Sequence, residues 1–357
     1  MFQLLLIAQG FSLLGGYIQA PVLSWLAADL SGGLYALSAY LLACYLPVAI
    51  LSYPLGRFLD GRRQKPWLIG SELALAALSA VLWVASLRDW ISFPFLLVFG
   101  GVWGCVRAIQ TPLYQSLPRR LSKDLSRGTA LLTVLTYAAR GLGPILGGLL
   151  YASFGASLPL LVNLCSFLPS VALLCFLKIP QAERGAKPAI KPRLRQLMQI
   201  FWVGFFGVNY NVTFVALVKE AGMGSGAYGL ALGLLGVGAL LGFWLKSRKK
   251  VLPTPWVVAG MGALNLSLAF LQNLWLVGGC ILLYGVLDFW YFSDAAFRLS
   301  RSAEQKEITA VMGLYSIVTV GAMPLGGLLW SFVGRSYGLP ATFILIGCGL
   351  ILLSNHK

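Results

Sequence analysis

The chain alternates between apolar runs of about twenty residues and short polar breaks, a length that crosses a hydrocarbon core of about 30 Å as helix. Residues 226–245, GAYGLALGLLGVGALLGFWL, are apolar on every face and show no period-two alternation, which favours a membrane helix over a barrel strand. The breaks predict twelve spanning helices at 3–27, 34–56, 66–87, 91–116, 128–152, 157–178, 197–218, 226–246, 252–271, 275–297, 308–332 and 338–354.

One run returns in degraded form. Residues 127–150, RGTALLTVLTYAARGLGPILGGLL, have a counterpart at 307–329. Thr129-Ala130 recurs as Thr309-Ala310, Pro144 as Pro324, Gly147 as Gly327 and Leu149 as Leu329, each 180 residues on. The polar approach repeats too, Ser122 with Ser302 and Asp124 with Glu304. A constant offset of this kind predicts two similar halves. Residues 178–195, KIPQAERGAKPAIKPRLR, carry three prolines, Gly185 and six basic residues. They read as a linker dividing an N-terminal six-helix half, 1–178, from a C-terminal one, 197–357, through a cytoplasmic segment at 179–196.

Composition agrees with a membrane-embedded chain. Of 357 residues, 58% are hydrophobic and 11% charged, and the mean hydropathy is +0.81. Soluble domains carry about 25% charged residues. The net charge of +16 would suggest nucleic acid in a soluble protein, but here it sits in short loops. With the N-terminus inside, 22 of the 27 Lys and Arg residues fall in inner loops, and the outer loops hold only Arg88, Lys219 and Arg335. That asymmetry places both termini in the cytoplasm, and the chain is expected to be a multi-pass protein of a bacterial cytoplasmic (inner) membrane. The basic linker is expected to rest on anionic membrane lipids. The first run lacks a basic leader and a cleavage site, so it is expected to remain as the first span. The six cysteines lie in or beside apolar runs without metal-ligand spacing. They read as packing residues. The only histidine is His356, and no Gly-rich loop precedes a Lys-Ser/Thr pair. No enzyme, metal, cofactor or ATP-driven chemistry is expected.

The loop after the second predicted helix reads GRFLDGRRQK, residues 56–65. It resembles the G-x-x-x-D-(R/K)-x-G-(R/K)-(R/K) signature of major facilitator superfamily transporters. Gly56 and Asp60 match in position, and Arg62, Arg63 and Lys65 supply the basic cluster; Gly61 stands where the family usually has a basic residue. The counterpart at 242–250, GFWLKSRKK, lacks the acid. The resemblance implies a conformational latch, with Asp60 meeting an arginine and the N-terminal end of helix eleven near Glu307-Ile308. Gly143, Pro144, Gly147 and Gly148 resemble the G-P-x-x-G-G element of helix five in exporters of the superfamily. Residues 11–15, 112–118 and 155–167 look like the branch of macrolide and siderophore exporters, although Gly16 stands where that branch often carries an acid.

Charges well inside predicted spans are few, and each costs about 2.5–3.5 kcal/mol at a helix centre, so each calls for a partner or a role. They are Glu72, Arg107, Arg140 and Asp288. At the 180-residue offset Arg107 maps onto Leu287, beside Asp288. In the superfamily helices one, four, seven and ten line the cavity, so Arg107 and Asp288 are expected to face one another there. Asp288 is the leading candidate for a proton carrier. Arg140 is expected to attract an anionic substrate or hold the bend at Pro144. Glu72 lies about two turns from the cytoplasm, on a helix that in this family usually packs outside. Tyr17, Gln19, Gln110, Asn209, Asn211 and Trp290 are expected to line the cavity, where aromatic walls with sparse polar groups suit an amphipathic guest.

The resulting reading is an all-α integral membrane protein of twelve helices in two pseudo-symmetric halves, the major facilitator fold, working as a monomer. Its expected activity is export of a hydrophobic or amphipathic small molecule, a drug-like compound or siderophore, by alternating access in exchange for protons. The alternatives are a lipid or lysolipid flippase and a transport-inactive membrane assembly protein.

Overall fold

The structure, a computed structural model, describes residues 2–30, 33–59, 63–116, 125–176, 194–248, 252–301 and 308–355. Among these every regular element is helical. In chain order they are α1 (Phe2–Leu30), α2 (Leu34–Leu59), α3 (Lys65–Leu87), α4 (Phe93–Ser116), α5 (Leu125–Phe154), α6 (Ser157–Phe176), α7 (Leu194–Gly207), α8 (Tyr210–Glu220), α9 (Ser225–Ser247), α10 (Thr254–Leu268), α11 (Leu274–Arg301) and α12 (Ile308–Ser354). Nine segments of the described residues are long and apolar enough to cross a membrane.

Two of these elements differ from the predicted spans. The seventh span, predicted as one helix, is interrupted at Val208-Asn209 into α7 and α8. The eleventh and twelfth follow one another without a loop as α12, which is divided at Gly338, whose φ of 84° lies in the left-handed region that glycine adopts without strain. The interruption in the seventh span frees carbonyls at the end of α7, and buried polar side chains take them up. Asn209 Nδ2 donates to Phe205 O at 2.5 Å and Phe206 O at 3.2 Å. Trp330 Nε1 donates to Phe205 O at 3.0 Å, and Tyr284 OH to Gly207 O at 2.8 Å. A broken helix inside a bilayer persists only when its free backbone groups are satisfied in this way.

In the first half α1 packs on α5 and α6, α2 on α4, and α3 on α6. In the second, α9 packs on α11, and α12 on α7 and α10. The halves meet along α5 with α9 and α2 with α12. Without a hydrophobic gain between helices in lipid, close backbone approach supplies the attraction, and small residues allow it. On α5, a Cβ at Gly147 would lie 2.2 Å from Ile18 O, and one at Gly148 would lie 2.7 Å from Ser225 O. The facing helix returns the requirement: a Cβ at Gly229 would lie 2.3 Å from Pro144 O. The G-P-x-x-G-G element thus wedges α5 between α1 of its own half and α9 of the other.

Polar contacts join the halves where α1 gives way to α2. Lys219 Nζ donates to Asp29 Oδ1 at 2.7 Å. Ser38 Oγ lies 2.5 Å from Ser331 Oγ and 3.0 Å from Gly327 O, and Ser331 Oγ donates to Leu34 O at 3.1 Å. The exposed ion pair contributes at most about 1 kcal/mol; the buried serine contacts, worth about 1 kcal/mol each, fix the geometry of this end.

Candidate functional site between the two halves

Arg140 and Asp288 meet across the α5–α11 gap near the middle of both helices, Nη2 to Oδ2 at 3.8 Å. The break between α7 and α8 places Tyr210 at the first turn of α8, and the Arg140 guanidinium donates to its hydroxyl. The guanidinium carbon lies 5.2 Å from the Tyr210 ring centre and 5.6 Å from that of Tyr137, one turn earlier on α5. Tyr137 in turn meets Phe289 edge-on at 5.2 Å. The Asp288 side chain is 5% exposed and that of Arg140 18%, so the carboxylate is the more enclosed partner. Asp288 Oδ1 is buried with no hydrogen-bond partner among the described residues. Buried polar atoms are nearly always paired, which leaves this oxygen ready for a proton, a water or a ligand group.

The partner expected for Asp288 therefore differs. Arg107 does not reach across to it. Its Nη1 donates to Gln110 Oε1 at 2.6 Å, one turn on along α4, and its guanidinium lies 5.3 Å from the Trp103 ring centre. The repeat offset relates helix to helix but leaves each helix's rotation about its axis open, and Arg140 on α5 supplies the cation instead.

Arg107 ends a second polar network, confined to the first half. Gln110 Nε2 donates to Glu72 Oε1 at 2.9 Å, Tyr114 OH to the same oxygen at 2.6 Å, and Ser12 Oγ lies 3.1 and 3.2 Å from the two carboxylate oxygens. Glu72 is fully buried; expected near the outside, it is the hub joining α1, α3 and α4. The missed signal is the i, i+3, i+7 spacing of Arg107, Gln110 and Tyr114, which puts three polar groups on one face of α4.

The other expected cavity residues divide. Tyr17 is partly exposed and packs against α5 at Gly143. Gln19 is buried inside the first half, accepting from Asn163 Nδ2 at 2.5 Å, and Gln110 is buried in the Glu72 network; neither lines the gap. Asn209 is buried at the α7–α8 break, while Asn211 is partly exposed in the first turn of α8. Trp290 points to α9, its Nε1 donating to Gly242 O at 2.7 Å, and so pins α11 to α9 rather than facing the gap. Of the latch, Asp60 and Arg62 lie outside the described residues, as does Glu307; Gly56 is in α2. Arg63 is exposed, and Lys65 Nζ donates to Cys175 O at 2.6 Å, tying the start of α3 to the end of α6.

The sequence profile of the Major Facilitator Superfamily matches residues 5–318. The chain belongs to the Major Facilitator Superfamily. Solved structures of similar fold include the human organic anion transporter MFSD10 (TETRAN), 16% identical with a TM-score of 0.78 over 99% of this chain and 97% of that one. A mutant form of the nucleoside transporter NupG is 12% identical, TM-score 0.75, over 99% and 97%. A bacterial homologue of the human lysosomal transporter Spinster, inward-facing and occupied, is 13% identical, TM-score 0.74, over 99% and 95%. No curated protein gives a sequence match. At these identities the structures share the fold alone. As a Major Facilitator Superfamily member the chain is a multi-pass membrane transporter and not an enzyme, and its all-helical architecture is that of the superfamily fold.

Proposed function

We propose that the protein exports a hydrophobic or amphipathic small molecule, a drug-like compound or a siderophore, by alternating access in exchange for protons. The observation that carries the reading is the Arg140–Asp288 pair, one charge from each half, with an unpaired carboxylate oxygen. Two charges out of water are tolerated while they face each other. A proton arriving on Asp288 removes one of them, weakens the attraction between α5 and α11, and frees the guanidinium for a polar group of the substrate. Tyr137 and Tyr210 offer the apolar body of that substrate ring faces and edges, with the buried Phe289 ring backing Tyr137.

Direction and orientation rest on the sequence. The positive-inside bias favours cytoplasmic termini; in this reading the membrane is the inner membrane of a bacterium and the halves divide at 179–196. The Lys219–Asp29 and Ser38–Ser331 contacts then lie on the outer side, as in a state that is closed there and loads from within. The glycine seam of α5 keeps the halves tightly joined and limits leak, as exporters require. In this reading Asp60 with Arg62, Arg63 and Lys65 closes the inner side in the opposite state. The protein acts as a monomer surrounded by lipid.

Everted membrane vesicles test this reading. An acid-inside pH gradient should drive uptake of amphipathic dyes, and a protonophore should abolish it. Dye movement indifferent to the gradient would exclude antiport and leave lipid movement or an assembly role.

A further inference from the structure

A cavity of about 700 Å³ lies in the C-terminal half at the end where α8 turns into α9 and α10 into α11. Its lining comes from residues 217–234, 268–281 and 339–343, so it contains neither Arg140 nor Asp288 and nothing of α1–α6. The volume falls in the roughly 300–1,000 Å³ range of sites that enclose small molecules. Burial is graded across it. Val218, Ile281 and Phe343 form a floor no more than 5% exposed, whereas Leu230, Phe270 and Leu274 at the rim are 50, 74 and 57% exposed. A rim of exposed apolar side chains on membrane helices faces lipid, and Trp275, 89% exposed beside Leu274, marks the headgroup level.

Two polar side chains also line the cavity, Glu220 at the end of α8 and Gln272 in the connection between α10 and α11, where the headgroups begin. Glu220 is exposed, and its neighbour Lys219 directs its ammonium to Asp29 at 2.7 Å instead of to Glu220. The cavity therefore combines a dry, buried interior, an opening toward hydrocarbon and a negative charge at the level of the headgroups. An alkyl chain bearing an ammonium group at one end complements all three. An anionic headgroup would instead meet the Glu220 carboxylate with like charge.

We propose that this cavity is a lipid site. It takes one acyl chain of a phosphatidylethanolamine from the leaflet that bathes the α8–α9 turn, with the lipid's ammonium on Glu220 and the Gln272 amide beside the phosphate. The bound lipid fills the C-terminal half at the end where Lys219 and Ser331 hold the two halves together.

Native mass spectrometry of the full chain released from nanodiscs of equal parts phosphatidylethanolamine and phosphatidylglycerol tests the site. Wild type should keep single-lipid adducts with a severalfold preference for phosphatidylethanolamine. Gly278→Phe aims a ring into the cavity, and a Cβ there would sit 3.5 Å from Leu234 Cδ1, an ordinary contact. It should lower those adducts by at least about tenfold, since the chain loses its apolar enclosure. Glu220→Gln changes one exposed side chain and should retain lipid while abolishing the headgroup preference. Undiminished adducts in Gly278→Phe, or an unchanged preference in Glu220→Gln, would overturn the proposal. Neither readout involves transport.

Discussion

Arg140 Nη2 stands 3.8 Å from Asp288 Oδ2 while its guanidinium also donates to Tyr210, so one cation ties α5 of the first half to α8 and α11 of the second. Removing one member of a buried pair leaves the other charge uncompensated, at a cost of about 3–5 kcal/mol, whereas replacing both with apolar groups of similar size is often neutral. Asp288→Leu should therefore lower the melting temperature in detergent more than the double variant Arg140→Met/Asp288→Leu does. Equal losses in single and double variants would mean that the two groups are not coupled.

The glycine seam gives a contrast within one protein. A Cβ at Gly147 would lie 2.2 Å from a backbone oxygen of α1, whereas nothing lies within 4 Å of one at Gly16. Gly147→Ala must push α1 and α5 apart, a change of about 1–3 kcal/mol for overpacking, and should reduce both stability and transport. Gly16→Ala should leave both unchanged. Melting curves of the two purified variants decide it.

At the interrupted seventh span, Asn209→Leu removes the amide that serves Phe205 O and Phe206 O. Phe205 O keeps Trp330, but Phe206 O loses the partner described for it, so the variant should lose about 1–3 kcal/mol. If α7 and α8 instead fuse into a regular helix, Tyr210 is carried away from Arg140. Substrate affinity should then fall more than expression does, as measured by binding to purified protein.

Glu72 gathers donors from α1 and α4. Glu72→Gln keeps an acceptor for Tyr114 and Gln110, and its amide can donate to Ser12. Glu72→Leu leaves those donors buried and unpaired, at about 1–3 kcal/mol each. The leucine variant should be the less stable by a clear margin in a thermal melt; equal melting of the two would mean that the network contributes nothing.

The helices were legible in the sequence because a bilayer imposes one length and one polarity on every span. Most predicted bounds fall within a few residues of the observed ones, 66–87 against Lys65–Leu87 for α3 being typical. The interruption at Asn209 was not legible, since an asparagine amid apolar residues scores the same whether its side chain serves a broken backbone or a cavity. Arg140 and Asp288 stood out by the cost of charge in lipid, but their pairing did not, because hydropathy carries no information about helix rotation. Gln19 and Gln110 show the converse. Polar groups inside one half satisfy one another as well as they would line a cavity, and only the packing of α1, α3, α4 and α6 distinguishes the two.

The most direct test is substrate-triggered proton movement in proteoliposomes, wild type beside Asp288→Asn, with a panel of amphipathic compounds. Asparagine keeps the size of the side chain but carries neither the charge that faces Arg140 nor a titratable proton. Proton flux evoked by substrate in wild type and lost in Asp288→Asn, with substrate binding retained, is the predicted result. Equal flux in the two proteins would contradict the account and move the coupling away from the Arg140–Asp288 pair.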